Sequence, residues 1–70
     1  MTLINLDCLS VGELRCVAKN RALHVSQRVY AAGKASAATH RLGGATAAAE
    51  FVERALDLFY ERHIPAALRW

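Results

Sequence analysis

The segment from residue 46 to residue 63 constrains the fold more than any other part of the chain. Apolar and acidic residues each recur there at spacings of three and four. The apolar set is Ala48, Phe51, Val52, Ala55, Leu56, Leu58 and Phe59, and the acidic set is Glu50, Glu53, Asp57 and Glu61. This period is that of an amphipathic helix with a wide apolar stripe. Some other surface must cover that stripe.

The flanking residues set the ends of this helix and of the one before it. We expect a cap at Thr46 and an end near His63, because Pro65 disfavours helical geometry at the preceding residue. The pair Gly43-Gly44 predicts the end of an earlier helix, since glycine tolerates the positive φ found there. That earlier helix should begin at a Ser26 cap and present one close-packing face of small and β-branched residues: Val25, Val29, Ala32, Ser36 and Thr39.

The clearest helix start lies nearer the N terminus. Ser10 followed three residues later by Glu13 forms a capping box, and Leu9 with Leu14 is spaced as a hydrophobic staple. This first helix should run from Val11 to about residue 20, with a connector at residues 21–25. Because no proline intervenes, a single bent helix over residues 11–42 is an alternative. The apolar residues 3–6 can pack onto the core, form a short strand or exchange with a partner.

These elements predict an all-α protein in which residues 1–70 form a single domain, a short capped helix followed by a helical hairpin. One hairpin of mainly alanine-sized partners cannot cover both sides of the wide stripe. We therefore expect Phe51 and Phe59 to be core residues, and we expect a homodimer with the third helix at its axis. The predicted dimer interface is Phe51, Val52, Ala55, Leu56 and Phe59.

Composition excludes several classes of protein. With 54% hydrophobic and 21% charged residues, the chain is not intrinsically disordered. No run approaches the roughly 18 apolar residues of a membrane span. The opening residues lack the positive region of a secretory signal, so we expect a cytoplasmic protein with its two cysteines reduced.

Residues that could carry catalysis or bind a metal are few. Cys8, Cys16 and His24 are eight residues apart, without the short paired spacing of structural zinc sites. No nucleophile has an orienting base and carboxylate near it in sequence. We therefore expect no metal, no cofactor and no enzymatic activity, and we assign no catalytic residues.

Charge is distributed unevenly along the chain. The net charge is +3, but residues 1–44 carry six cations and two acids, whereas residues 45–70 carry three cations and four acids. A basic face can attract phosphate or an acidic protein surface. We expect the partner to bind this face, with Trp70 and Arg69 as a second candidate surface and the acidic stripe as a third. The predicted partner-binding residues are Arg15, Lys19, Arg21, Arg28, Tyr30, Arg69 and Trp70.

Part of the basic half resembles a known family. The run Ser-Val-Gly-Glu-Leu-Arg at residues 10–15, followed by Ala-Leu-His-Val-Ser at residues 22–26, resembles SAP-type helix–extended-turn–helix modules. The resemblance spans residues 10–28. It implies that the chain binds DNA, mostly through backbone contacts. It departs from the family at Ala22, where glycine is usual, and after Arg28.

A looser resemblance, in size and helical character, is to small bacteriophage proteins that disable host regulators. We therefore expect a regulatory protein that binds and inhibits a partner protein, in the form of a phage-encoded anti-activator of a host transcription regulator. The alternative is a small SAP-like DNA-binding protein.

Overall fold

The computed structural model describes Leu6 and residues 9–68. Three α-helices, α1 (Val11–Lys19), α2 (Val25–Leu42) and α3 (Thr46–His63), are followed by a short 3₁₀ helix at Ala66–Leu68. The prediction of an all-α chain with a short capped helix and a helical hairpin is confirmed. Because residues 20–24 interrupt the first two helices, the alternative of one bent helix is wrong. The predicted N-terminal apolar segment lies outside the described residues, apart from Leu6.

Helix α1 begins with the predicted capping box. The Glu13 N–H donates to Ser10 Oγ at 3.2 Å, and the Ser10 N–H donates to Glu13 Oε1 at 3.0 Å. The hydrogen bonds from the Ser10 backbone and side chain lower the pKa of Glu13 below its ordinary value. Leu9 packs against the core that contains Leu14, as the staple spacing predicted.

Helix α2 has a different cap from the one predicted at Ser26. His24 is the N-cap: its Nδ1 accepts from the Ser26 N–H at 3.1 Å, and Gln27 Oε1 accepts from the His24 N–H at 3.0 Å. Ser26 is instead buried in the first turn, where its Oγ lies 2.7 Å from His24 Nδ1. The ring nitrogen takes the place of the expected serine oxygen as the acceptor, so the cap lies two residues before the predicted one.

The turn between α2 and α3 is made by backbone conformation. Gly44 has φ +80°, the positive φ predicted for this glycine pair. The prediction that Thr46 caps α3 is wrong, because Ala45 is the N-cap and Thr46 is the first helical residue. No side chain caps this helix, whose first backbone bond runs from the Ala49 N–H to the Ala45 carbonyl at 3.0 Å.

The core forms where α2 contacts both α1 and α3. Its buried members are Leu6, Leu14, Tyr30, Ala35, Leu56 and Ile64. Helices α2 and α3 approach closely at Gly33, because a Cβ there would overlap the Leu56 side chain. A small residue of α2 thus allows another helix to come close, as predicted. The prediction of which α2 face makes this contact is wrong. Val25 and Val29 are 63% and 49% exposed, and the rest of that face is also exposed.

The core-facing side of α3 is narrower than the apolar stripe. Ala49 and Leu56 are buried, whereas Phe51 is 75% exposed, so its assignment to the core is wrong. Phe59 is half-buried against the core, as expected. In the described part of the chain, none of the helices has the length and hydrophobicity that a membrane span needs.

Candidate partner-binding surfaces

A groove of about 520 Å³ separates α1 from one face of α2. It exists because the α2 residues along it have short side chains, which leave space beside α1. Its lining residues are Arg15, Ala18, Lys19, Ala32, Ala35, Ser36, Thr39 and His40. We call this feature the α1/α2 groove. It combines a floor of small side chains with two long cations on the α1 wall.

The two cations of the groove have no partner in the described part of the chain. Arg15 and Lys19 are exposed and make no hydrogen bond or ion pair with another described residue. Arg41, in contrast, donates from Nε and Nη2 to the two Glu53 carboxylate oxygens at 3.0 and 2.8 Å. Those bonds, and the negative charge of Glu53, raise the pKa of Arg41. The groove therefore carries unneutralised positive charge, whereas the charge of Arg41 is paired with that of Glu53.

Two residues predicted to bind the partner have structural roles instead. Arg28 is partly buried, and its Nε donates to the Ala18 carbonyl at 2.9 Å, which ties α2 to the end of α1. Tyr30 is 9% exposed and lies 5.3 Å from Tyr60 between ring centroids, so its assignment as a surface anchor is wrong. The Lys34 ammonium lies 5.7 Å from the Tyr30 ring. Tyrosine and arginine occur both at binding surfaces and in structural contacts within a fold. The residue type alone therefore did not show which role Tyr30 and Arg28 have.

The other predicted partner-binding residues differ in position. Arg21 is exposed in the turn after α1 and lies outside the residues that line the groove. Arg69 and Trp70 lie outside the described residues. The structure thus brings Arg15 and Lys19 together, with Arg21 following them in the turn. His40 also lines the groove and was not predicted. It lies on the same α2 face as Ser36 one turn earlier, a spacing from which it could have been found.

A second candidate surface is the exposed side of α3. Phe51 and Leu58 are 75% and 53% exposed, and Ala48 and Ala55 are exposed between and beside them. Their spacings of three and four put all four on one side of the helix. We call Ala48, Phe51, Ala55 and Leu58 the outer α3 stripe. It is a continuous apolar strip next to the core-facing side of the helix.

The predicted dimer-interface residues are divided by this arrangement. Phe51 and Ala55 belong to the outer α3 stripe. Val52 and Phe59 are half-buried between that stripe and the core. Leu56 is 7% exposed and packs within one chain against Gly33, so it is a residue of the protomer core rather than of an outer surface.

One carboxylate of the acidic stripe of α3 is already in an ion pair. Glu53 is bound to Arg41, as described above, while Glu50 and Asp57 are exposed. Exposed carboxylates spread along one helix do not form a cleft.

The residues considered for zinc do not converge in the described structure. Cys16 is an exposed thiol, His24 is the α2 cap, and Cys8 lies outside the described residues. Within Leu6 and residues 9–68, no group of three or more His, Cys, Asp or Glu side chains could hold a metal ion.

No protein-family model, curated protein or solved structure was found to match this chain.

Proposed function

We propose that the chain is a small non-enzymatic regulatory protein that binds and inhibits a partner protein. The observation that carries the proposal is the exposure of large apolar side chains on regular helices. Leu42, Phe51 and Leu58 are 83%, 75% and 53% exposed. Single exposed apolar residues are ordinary, but a continuous apolar strip with polar edges is typical of an interaction site. A protein this small would inhibit by occupying a surface that its partner needs.

The looser resemblance supplies the specific form of this proposal, a bacteriophage-encoded anti-activator of a host transcription regulator. Its test is co-purification with tagged protein, followed by measurement of the captured protein's activity as the pure chain is added. A stoichiometric fall in activity is the expected result. If every captured protein keeps its full activity, the inhibitory function is refuted.

We also propose that the outer α3 stripe pairs with the same stripe of a second copy. In an antiparallel pair centred near position 55, Phe51 faces Leu58 of the second copy, and the two Ala55 residues meet at the axis. Two large side chains thus flank a small one, which lets the helices approach closely. Arg54 and Asp57, which follow one edge of the stripe, come opposite each other in this register. The pattern is therefore self-complementary, as a twofold interface requires.

Sedimentation equilibrium at micromolar concentration tests the dimer. The expected mass is about 15 kDa, twice the 7.7 kDa of one chain. Phe51→Glu should give a folded monomer, because this side chain contributes little to the protomer core and a charge buried against Leu58 of the second copy is costly. Leu42→Glu, at another exposed apolar position, is the matched control and should remain dimeric. A monomeric wild type, or a dimeric Phe51→Glu variant, contradicts the proposed interface.

The alternative function is DNA binding by a SAP-like unit. The exposure of Arg15, Lys19 and Arg21 around the end of α1 favours it, because three neighbouring cations can contact phosphates. DNA binding of this kind must weaken steeply as salt rises, whereas a partner bound through apolar side chains responds much less. Anisotropy of a labelled DNA duplex at about 50 and 200 mM salt separates the two functions.

A further inference from the structure

We propose that the α1/α2 groove binds an acidic amphipathic helix of the partner protein. This inference rests on the proposed function and specifies the chemistry of the partner segment. The supporting observations are the shape of the groove floor, its length and the unpaired cations on its wall.

The floor suits a helix because its side chains are short. Ala18, Ala32, Ala35 and Ser36 project no further than a methyl or hydroxyl group, so a docked helix backbone can come close. This is the packing that small residues allow between helices. A loop or an extended peptide would gain less from it, because its side chains cannot all reach the same strip.

The floor also continues beyond the groove. Val25 and Val29 lie on the same α2 face as Ala32 and Ser36, at spacings of four and three, and both are largely exposed. From Val25 to Thr39 the face is about 21 Å long at 1.5 Å per residue. A helix of about 14 residues would cover it. The apolar face of an amphipathic helix matches this valine- and alanine-rich strip.

The charge on the groove wall specifies acidic residues in the occupant. Arg15 and Lys19 are one turn apart on α1, and no described acidic side chain lines the groove. Glu13, on the same helix, is already engaged in the capping box. Carboxylates at spacings of three or four on a docked helix would run alongside both cations. Such contacts favour encounter and orientation as well as affinity.

The same features disfavour a nucleic acid as the occupant. A phosphate backbone has no apolar face to place on Val25, Val29 and Ala32, so that strip would stay in water. Arg28, which could have added a phosphate contact, is held by the Ala18 carbonyl. The groove therefore offers few phosphate contacts and a long apolar floor, which is the reverse of what a duplex requires.

The test uses a synthetic helical peptide of about 14 residues, the length of the α2 face, with leucines on one face and glutamates along its edge. A second peptide has every glutamate replaced by lysine. Binding to the full chain is followed by fluorescence anisotropy. The glutamate peptide should bind and the lysine peptide should not. Arg15→Glu with Lys19→Glu should weaken binding at least tenfold, and circular dichroism should report an unchanged fold because both residues are exposed.

Three further variants sharpen the result. Arg62→Glu with Ala66→Glu and Ala67→Glu makes the same change in net charge at exposed positions outside the groove and should leave affinity unchanged. Arg15→Lys with Lys19→Arg keeps both charges and should preserve binding. Ser36→Phe fills the floor without altering charge and should weaken binding, with Ala67→Phe as an exposed control outside the groove.

Several outcomes overturn the inference. Equal binding of the two peptides, or unchanged affinity after charge reversal at Arg15 and Lys19, removes the groove as an acidic-helix site. Tighter binding of a short DNA duplex at the same two residues would make the groove a phosphate site instead. If the charge-reversed protein still captures and inhibits its partner, the inference fails while the proposed function stands. If the glutamate peptide binds but no captured protein is inhibited, the proposed function fails separately.

Discussion

Helix α2 has two neighbouring helices that are held to it by different interactions. Toward α3 the contact is apolar and close: Leu56 packs on Gly33, and Tyr60 packs on Tyr30. Toward α1 the contact combines the buried Leu14 with a directed hydrogen bond from Arg28 to the Ala18 carbonyl. Both neighbours pack on the same helix, and the α1/α2 groove lies on the α1 side.

The difference follows from what each interaction demands of geometry. Burial of apolar side chains stabilises the fold in proportion to the surface area removed from water. Apolar packing therefore favours contact between two helices along their whole length. On the α1 side apolar residues also pack on the core, and the hydrogen bond from Arg28 adds one fixed distance and direction at the end of α1. The α1/α2 groove remains because the α2 side chains that line it are short.

The largest effect should come from the α3 side. Leu56→Ala removes a buried side chain at the closest helix contact and should cost about 2–5 kcal/mol of unfolding free energy. Leu42→Ala, at an 83% exposed position outside the outer α3 stripe, is the control and should cost far less. Urea denaturation at one fixed protein concentration measures both. Similar losses for the two variants would mean that the contact between Leu56 and Gly33 does not hold α3 to α2.

A smaller effect is expected on the α1 side. Arg28→Met keeps much of the aliphatic stem but removes the donor to Ala18, and should cost about 1.5–3 kcal/mol, the value typical of hydrogen bonds to charged groups. Arg15→Met is the control, because Arg15 has no described partner. If the two substitutions have the same effect on urea denaturation, the Arg28 bond does not hold α1.

The cap of α1 should contribute less again. Ser10→Ala removes the acceptor for the Glu13 N–H and should cost about 0.5–2 kcal/mol, measured by thermal denaturation. An unchanged melting temperature would show that α1 does not depend on this cap, and the SAP-like register would lose its support.

The same cap provides a dependence on pH. Because the folded pKa of Glu13 is lowered, its contribution is complete above the ordinary glutamate pKa and is lost as the pH falls through the lowered value. Glu13→Gln should remove this part of the acid sensitivity. If the acid limb of a pH–stability profile is the same in both proteins, Glu13 is not its source.

The smallest effect belongs to the exposed ion pair across the α2–α3 turn. Arg41 and Glu53 are 47% and 37% exposed, so their coupling should be about 0.2–1 kcal/mol. A double-mutant cycle with Arg41→Ala and Glu53→Ala measures it, and about 1 M salt should reduce it further. A coupling as large as the Leu56→Ala loss would show that charge, rather than apolar packing, fastens α3.

Features that depend on a few neighbouring residues were predictable. The Ser10–Glu13 box, the positive φ at the glycine pair and the end of α3 before Pro65 all follow from local sterics and hydrogen bonding. The caps of α2 and α3 were misplaced by one or two residues. In α2 a histidine nitrogen took the role expected of Ser26, and in α3 the backbone turn made a side-chain cap unnecessary.

The candidate surfaces were predictable only in part. The cationic character of Arg15 and Lys19 was evident from the chain, but the groove beside them was not, because it depends on the angle at which α1 meets α2. Tyr30 and Arg28 have the same residue types as interface anchors, and only their contacts with Tyr60 and Ala18 reveal structural roles.

The sequence by itself determined three helices, because helical periodicity, capping and glycine conformation act over a few residues. It also determined that α3 carries more apolar surface than one neighbour can cover. Only the tertiary structure decided which part of that surface is covered: Leu56 reaches Gly33, while Phe51 remains in water. That choice depends on one close contact between residues far apart in the chain, and no local pattern specifies the rotation at which two helices meet.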